Sequence, residues 1–177
     1  MIIIRHMRNS EIERIAEVDR SEYITKNYIN DNGSLETRDV DWHVPPWSAD
    51  GEGVHSVRAK IEEWRPLLDD GGAMFGAFDE EHLVGFGIYR PNLSENTAQL
   101  AALYVSNGYR NQGIGALLAG EVAQQARADG ARKLYVSATP TVSTVHFYMG
   151  QGFALTRKIN RRLFDLEPRD IHVIKNL

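Results

Sequence analysis

The chain has 177 residues, no cysteine and a formal net charge of −4 at neutral pH. The absence of cysteine excludes disulfides, thiolate metal sites and a cysteine nucleophile. The acidic balance argues against a general nucleic-acid-binding protein, which would usually be basic. Hydrophobic residues make up 42% of the sequence, so we expect one domain over residues 1–177 with a sizeable core.

The apolar runs are too short to span a bilayer. The first residues, Met-Ile-Ile-Ile-Arg-His, are typical of a β-strand and lack the length and cleavage site of a signal peptide. We therefore expect a cytoplasmic protein with no membrane partner.

The first third of the chain predicts two helices separated by a long loop. Residues 9–22 carry apolar side chains at helical spacing, and Asn9 or Ser10 could cap this helix. Residues 30–53 are rich in Asp, Gly, Pro and Ser, which predicts a long irregular loop of the kind that is often functional. A second helix is predicted over residues 55–68, ended by the Asp-Asp-Gly-Gly that follows.

The remaining elements predict a fold of the α/β (α+β) class, a mixed, mostly antiparallel sheet with helices on both faces. In chain order they are strands 73–78, 83–89 and 97–105, helix 114–128, strand 134–138, helix 141–151, and strands 153–159 and 171–174. The apolar side chains expected to face inward from the helix over 114–128 are Ile114, Leu117, Leu118 and Val122. A strand at the C-terminal edge of the sheet could pair across a homodimer. The basic run Arg157-Lys158…Arg161-Arg162 predicts an exposed strand and turn rather than a binding patch.

The segment Arg110-Asn111-Gln112-Gly113-Ile114-Gly115 joins a strand to a helix. A helix start carries unpaired backbone N–H groups and the positive end of the helix dipole, and glycines let a bulky phosphate approach the backbone. The segment therefore predicts a phosphate-binding loop, with an ordinary strand-to-helix turn as the alternative.

Two nucleotide-binding motifs are excluded at this loop. A P-loop needs Gly-Lys-Ser/Thr, whereas Gly115 is followed by Ala-Leu. A dinucleotide fingerprint needs a small residue at the position of Leu118. It also needs an acidic residue after the next strand, where Ser-Ala-Thr stands.

Two further motifs follow the loop, Lys133-Leu-Tyr-Val-Ser-Ala138 and Phe147-Tyr-Met-Gly-Gln-Gly-Phe153. Together with Arg110-x-x-Gly113-x-Gly115, they closely resemble the GNAT superfamily of N-acetyltransferases along nearly the whole chain. The resemblance implies the acyl-CoA N-acyltransferase fold. It also implies acetyl transfer from acetyl-CoA to a primary amine.

The resemblance implies where acetyl-CoA would lie. The loop N–H groups would hold its pyrophosphate, and the preceding strand would splay from its neighbour near a bulge and pair with the pantetheine arm. A backbone N–H of that strand could also polarise the thioester carbonyl. The implied cofactor-binding residues are Leu103, Tyr104, Val105, Arg110, Asn111, Gln112, Gly113, Ile114, Gly115, Thr141 and Ser143.

Thr141 and Thr144 stand where the family often has Asn and Ala. Thr141 can still cap the helix and donate a hydroxyl hydrogen bond, and Ser143 offers a second hydroxyl. The departure leaves the cofactor contacts of these individual residues open.

Tyr148 stands where the family commonly has the acid that protonates the departing thiolate. A phenol has a pKa of about 10 and a thiol about 8.5, which suits donation in that direction. A core aromatic side chain is the alternative.

The general base is not evident from the sequence. An alkyl amine with a pKa of about 10 is only about 0.1% neutral at pH 7, so a group must take its proton. Many relatives use a glutamate on the strand before the loop, but Thr-Ala-Gln-Leu-Ala-Ala has no carboxylate. Glu22, at the end of the first predicted helix, is the predicted base, with a solvated helix face as its alternative. Asp41, His43 and a chain of water molecules are the other candidate bases.

The acceptor is predicted to be a small amine that attacks the thioester directly in a ternary complex. Trp42 and Trp47 could wall its pocket or anchor the loop to the core, and Asp170 to His172, before the last strand, are placed to reach it. No set of His, Asp and Glu has the spacing of a metal site. A peptide or protein amine, and a sensor domain that binds acyl-CoA without turnover, stay open as alternatives.

Overall fold

The computed structural model describes residues 1–31, 33–48 and 51–177. Its strands and α-helices, in chain order, are β1 Ile2–Met7, β2 Glu22–Asp31, β3 Ser34–Val44, α1 Val57–Asp69, β4 Ala73–Asp79, β5 His82–Ser94, β6 Thr97–Val105, α2 Ile114–Ala128, β7 Lys133–Ala138, α3 Val142–Gly150, β8 Ala154–Leu155, α4 Arg161–Leu166 and β9 Ile171–Asn176. Two 3-10 helices add Asn9–Glu17 and Asn107–Tyr109.

Seven of these strands form one mixed sheet in the order β1-β4-β5-β6-β7-β9-β8. Within that sheet the β6–β7 pair is parallel, and the other pairs are antiparallel. The predicted fold class, a mixed and mostly antiparallel sheet, is confirmed.

Helices cover both faces of the sheet, as expected. On one face, Leu118 and Val122 of α2 and Val145 of α3 pack against the sheet. On the other face, the first 3-10 helix and α1 contribute a second cluster, with Ile12 and Trp64 among its buried side chains. Burying an aliphatic or aromatic side chain of this size contributes about 1.5–3 kcal/mol, so the two clusters clamp the sheet between helical layers.

The inward set predicted for α2 was wrong at one residue. Ile114, Leu118 and Val122 are buried, but Leu117 is 55% exposed. Neighbouring positions of an α-helix differ by about 100° around the axis. A helix that buries Leu118 therefore turns Leu117 towards solvent.

The first helix is shorter and tighter than predicted. Its N-cap is Arg8 rather than Asn9 or Ser10, and the side chain of Glu11 accepts a 2.9 Å hydrogen bond from the Arg8 N–H. The helix ends before Asp19, whose carboxylate accepts a 2.9 Å bond from the Ser21 N–H in a local turn. Glu22 is consequently the first residue of β2 and not the end of a helix.

The long irregular loop predicted over residues 30–53 was also wrong in its first half. β2 and β3 form a separate antiparallel hairpin, and Asn32, Ala49 and Asp50 lie outside the described residues. Val40, Trp42 and Val44 alternate with polar residues, which is the period-two pattern of a strand. The many Asp, Gly, Pro and Ser residues of this segment are typical of a loop, so its composition did not indicate the strand.

The C-terminal region differs from the prediction in three ways. The strand predicted over 153–159 is only Ala154–Leu155. Arg161 and Arg162 lie in α4, because the Asn160 side chain caps that helix by accepting from the Leu163 N–H at 3.1 Å. The last strand, β9, is not an edge strand, since β7 and β8 flank it on either side.

Candidate active site

A cleft opens in the middle of the sheet where β6 and β7 part. The two strands pair only at Thr97–Lys133, Ala98–Leu134 and Gln99–Tyr135, whereas β6 continues beside β5 to Val105. Ala101 is an extra residue on β6, because Leu100 and Ala102 pair with consecutive residues of β5, and such a bulge bends the strand. The expected bulge and splay are both present. The backbone of Leu103 to Val105 therefore borders the cleft, and no strand among the described residues pairs with its far side.

The loop before α2 presents a row of free backbone donors to this cleft. Among the described residues, no acceptor lies within hydrogen-bond range of the backbone N–H groups of residues 111–116. Asn111 has φ of 60° and the helix N-cap Gly113 has φ of 82°. These left-handed conformations turn successive N–H groups into one concavity, which is the geometry of an anion-binding nest.

The side chain of Arg110 is held by the protein. Its Nε donates to the Val105 carbonyl at 3.0 Å, and its Nη1 lies 3.9 Å from Oε2 of Glu22. Arg110 therefore ties the end of β6 to the loop. The guanidinium adds positive charge beside the free N–H groups.

The segment before β2 is fastened to the same end of β6. The Asp19 N–H donates to Oγ of Ser106 at 3.0 Å, and the Asn107 N–H donates to the Asp19 carbonyl at 2.9 Å. These bonds bring Glu22 beside the phosphate-binding loop. Glu22 was predicted at the end of a helix towards the acceptor side, but it lies on β2 beside Arg110, and its role as a base stays a prediction.

Tyr148 lies on α3, one helix away from the loop. A Cβ added at Gly115 would come within 3.3 Å of the Phe147 ring, so the glycine lets α2 and α3 approach closely. Tyr148 is 6% exposed, and its ring makes edge contacts with Phe147 and Phe153. Burial is the main cause that raises the pKa of the Tyr148 phenol, with smaller contributions from Tyr104 and Asp170. The phenol is therefore protonated throughout the physiological range.

Thr141 caps α3, as the sequence predicted. Its Oγ1 accepts from the Thr144 N–H at 3.2 Å and donates to Oγ1 of Thr144 at 2.8 Å. Ser143 is exposed on the first turn of α3, with its Oγ 3.2 Å from that of Thr141. The cofactor contacts expected of Thr141 and Ser143 stay predictions.

The hairpin of β2 and β3 docks on the start of α3. The Tyr28 N–H donates to the Pro140 carbonyl at 2.7 Å, and the Tyr28 hydroxyl lies 2.8 Å from Nε2 of His146. Asp41 and His43 are on the outer strand of this hairpin, paired with each other at 3.6 Å and each with a 78% exposed side chain. They lie in solvent on β3, away from the buried surroundings of Tyr148.

Trp47 is anchored rather than loose. Its indole N–H donates to the carbonyls of Ile15 and Val18 at 3.1 and 2.8 Å, and its ring contacts the ring of Tyr104. The Arg20 guanidinium lies over Trp47 at 5.2 Å. Trp42, by contrast, is 37% exposed on β3. The anchoring interpretation therefore fits Trp47.

Two charged residues lie near the site. The sequence did not predict a role for Arg20, and it predicted only that Asp170 could reach the acceptor. Arg20 has Nε and Nη1 buried without hydrogen-bond partners. Asp170 directly precedes β9, and its Oδ2 accepts from the Ser137 hydroxyl at 2.8 Å. An acidic residue at the start of an apolar strand was the only sequence signal for Asp170, since its partner Ser137 lies 33 positions earlier.

Two features are absent from residues 1–31, 33–48 and 51–177. No group of three or more His, Asp or Glu side chains there could hold a metal ion. No helix there is long and apolar enough to cross a membrane. The expected cytoplasmic location stays a prediction.

The comparisons with known proteins agree with this geometry. Residues 36–153 match the model of a family described as the acetyltransferase (GNAT) family. No curated protein matches the chain by sequence.

Solved structures similar to this one cover the whole chain. A nourseothricin acetyltransferase has a TM-score of 0.72 and 18% identity, over 99% of this chain and 98% of its own. A proposed streptothricin acetyltransferase from Bacillus anthracis str. Ames, solved with acetyl coenzyme A, has a TM-score of 0.73 and 16% identity, over 100% and 99%. The PaiA N-acetyltransferase from Thermoplasma acidophilum, solved with coenzyme A, has a TM-score of 0.64 and 17% identity, over 100% and 99%. At these identities the likeness establishes the fold.

Proposed function

The chain belongs to the GNAT family of acetyltransferases, and from this premise we propose that it moves an acetyl group from acetyl-CoA to the primary amine of a small molecule. The observation that carries the proposal is the row of free backbone N–H groups at the start of α2, beside a cleft that Tyr148 approaches from α3. Residues 1–177 would act as one acetyltransferase domain.

Acetyl-CoA would lie along the cleft between β6 and β7. The pyrophosphate would accept hydrogen bonds from the free loop N–H groups of residues 111–115 and from the Arg110 guanidinium, where the α2 dipole favours negative charge. The pantetheine amides would pair with the free side of Leu103, Tyr104 and Val105. Thr141 and Ser143, at the start of α3, would border the same arm. The similar structures solved with acetyl coenzyme A and coenzyme A support this cosubstrate.

The chemistry requires no covalent enzyme intermediate, and the chain has no cysteine to form a thioester. The amine nitrogen would form a bond to the thioester carbon, and the carbon–sulfur bond would break. Tyr148 would donate its phenolic proton to the departing thiolate, and a base would accept the proton that the amine loses. Holding both reactants in one cleft supplies a large part of the rate advantage.

Glu22 remains a predicted base from the sequence. Its carboxylate lies near the loop, with the Arg110 guanidinium 3.9 Å away. A carboxylate beside a fixed cation already has a partner for its charge. This placement suits a role in holding Arg110 as well as a role in proton transfer.

A small acceptor is favoured over a peptide. Two of the similar structures are named as nourseothricin and streptothricin acetyltransferases. The partly exposed aromatic rings of Trp47 and Tyr104 lie against each other near the end of β6. They would form an apolar wall for a compact ligand.

Thiol release from acetyl-CoA across a panel of amines tests the proposal. The panel contains alkyl amines, amino acids and lysine-containing peptides. Release that depends on a small amine is the expected result. Release with peptides alone would favour the peptide alternative. Coenzyme A binding without release from any amine would favour the sensor.

A further inference from the structure

Asp170 lies at the open end of the strand pair that forms one wall of the cleft. β7 and β9 pair in register up to Ala138 and Ile171, so Asp170 stands beside the last residues of β7. Its Oδ2 accepts a 2.8 Å hydrogen bond from the Ser137 hydroxyl, which fixes the carboxylate at this end of the strands.

The carboxylate is held at the end of β7, the strand that borders the cleft opposite β6, so its charge acts on groups across the cleft. Its negative charge contributes to raising the pKa of Tyr148 on α3 and of Tyr104 on β6. Glu167, at the C-terminal end of α4, is the other charged group near it. Burial is the main cause that raises the pKa of Asp170 to about 6, partly offset by the Ser137 hydrogen bond.

Asp170 has no cationic partner in the part of the chain that the structure describes. Its one hydrogen bond comes from a neutral hydroxyl, and no lysine, arginine or histidine forms an ion pair with it. A partly buried carboxylate without a counter-charge loses some of its hydration with nothing to replace it. A bound ammonium ion would supply the missing charge.

We propose that Asp170 binds the ammonium group of the acceptor and then takes its proton. The inference rests on the proposed acetyl transfer and adds the residue that prepares the amine. It also predicts that the acceptor is an aliphatic amine that binds in its protonated form, and not an amine that is already neutral.

The step balances with Tyr148 as the acid. One N–H proton of the ammonium passes to the Asp170 carboxylate, and the freed lone pair forms the carbon–nitrogen bond at the thioester carbonyl. The carbon–sulfur bond breaks, and the thiolate takes the Tyr148 proton. The nitrogen loses its second proton as the amide forms, and that proton restores the Tyr148 phenol. Asp170 then returns its proton to water when the products leave.

Asp170 suits this role better than Glu22. The Glu22 carboxylate lies 3.9 Å from Arg110, beside the residues that would hold the pyrophosphate. Asp170 lies at the end of β7 that borders the cleft, and its charge acts on Tyr148. Its raised pKa, near 6, also makes it a stronger base than an ordinary carboxylate while leaving it mostly ionised at pH 7.

The test compares Asp170→Asn with Asp165→Asn. The asparagine keeps the size of the side chain and an oxygen that can accept from Ser137. Asp165 is a matched control, because it is a 55% exposed side chain on α4 that pairs with Arg161. Glu22→Gln is measured alongside as the rival base. Calorimetric titration with coenzyme A verifies that each variant is folded and binds the cosubstrate.

For an alkyl amine, we expect Asp170→Asn to lower kcat/KM about 10²–10³-fold and to leave the coenzyme A affinity unchanged. In the wild type, kcat/KM should rise with pH through about 6 as Asp170 ionises. In the variant this rise near pH 6 should vanish. Its kcat/KM should instead increase with the fraction of free amine, up to the pKa of that amine. With an aromatic amine, neutral at pH 7, the loss should fall below about 10-fold.

The outcomes separate the inference from the proposed function. If the wild type acetylates alkyl amines and Asp170→Asn keeps both the rate and the rise of kcat/KM near pH 6, Asp170 is not the base. If only Glu22→Gln loses that rise, the base is Glu22 instead. If the wild type acetylates no amine, the proposed function fails, and the role of Asp170 fails with it.

Discussion

Nη1 of Arg110 lies 3.9 Å from Oε2 of Glu22, while Nε of the same guanidinium donates to the Val105 carbonyl at 3.0 Å. One side chain thus joins the last residue of β6, the first residue of β2 and the loop before α2. The two interactions differ in strength, because the hydrogen bond to Val105 is close and directional. The ion pair is longer, with both side chains about a third exposed.

We predict that Arg110→Leu raises the Kd for acetyl-CoA about 10- to 100-fold. This range corresponds to losing one charge-assisted hydrogen bond and the positive charge beside the pyrophosphate. Glu22→Gln should change the same Kd less than about threefold, because a partly exposed ion pair contributes little. Calorimetric titration measures both. Equal effects of the two changes would contradict this division.

The left-handed conformation of Gly113 sets the geometry of the loop. We therefore predict that Gly113→Ala weakens acetyl-CoA binding. Its φ of 82° costs an alanine about 1–2 kcal/mol, and relaxing that strain would redirect the neighbouring N–H groups. The expected result is a lower melting temperature together with a higher Kd.

Gly120→Ala is the matched control for Gly113→Ala. Gly120 lies within α2 on the exposed side, and nothing lies within 4 Å of a Cβ added there. Alanine should therefore stabilise the helix by up to about 1 kcal/mol and leave the Kd unchanged. A loss of binding in the control would point to a general effect on α2.

Much of the fold was readable because the pattern there is local. The helix over 114–128 was predicted with its observed bounds, since capping glycines and a 3.6-residue period mark it clearly. The hairpin of β2 and β3 was missed, because its apolar positions are few and it lies outside the main sheet. Its docking depends on a contact from Tyr28 to Pro140, which no local pattern encodes.

The donor side of the site was likewise more predictable than the acceptor side. The cofactor loop is one continuous motif. Asp170 reaches the cleft because β9 returns beside β7, and Tyr148 reaches it because α3 packs on the sheet. Glu22 came near the loop through bonds between Asp19 and Ser106 that the sequence did not reveal.

Tyr148→Phe should lower kcat about 10²–10⁴-fold and leave acetyl-CoA binding intact, because only the donated proton is lost. Tyr89→Phe is a matched control, since Tyr89 is also buried but hydrogen-bonds Asp129 just beyond the C-terminal end of α2. The control should lose stability rather than turnover. Initial rates of thiol release, together with thermal melting, distinguish the two variants. An unchanged kcat in Tyr148→Phe would assign that tyrosine to packing alone.

Glu11 stabilises the start of the first 3-10 helix, and its contribution should depend on pH. Hydrogen bonds from the Arg5 guanidinium and the Arg8 N–H lower its pKa to about 2. A lowered acid pKa means that the stability is present above the unfolded value near 4.5 and is lost as the pH falls through about 2.

We therefore predict that Glu11→Gln lowers the free energy of unfolding by about 1–3 kcal/mol at pH 7, with the difference from wild type shrinking below pH 4.5. Glu13→Gln should have no measurable effect, because its side chain is 75% exposed. Urea unfolding at several pH values provides the comparison. A difference that stays constant down to pH 2 would contradict the assigned cause.

The central claim is that the amine attacks acetyl-CoA directly within one cleft. The most direct measurement incubates the protein with acetyl-CoA, with and without an amine that the panel identifies, and follows thiol release, acetylated amine and the mass of the intact protein. Direct attack predicts thiol release only when the amine is present, in equal amount with the acetylated amine, and no acetyl group on the protein. Thiol release without amine, accompanied by an acetylated protein that then passes its acetyl group to the amine, would contradict it.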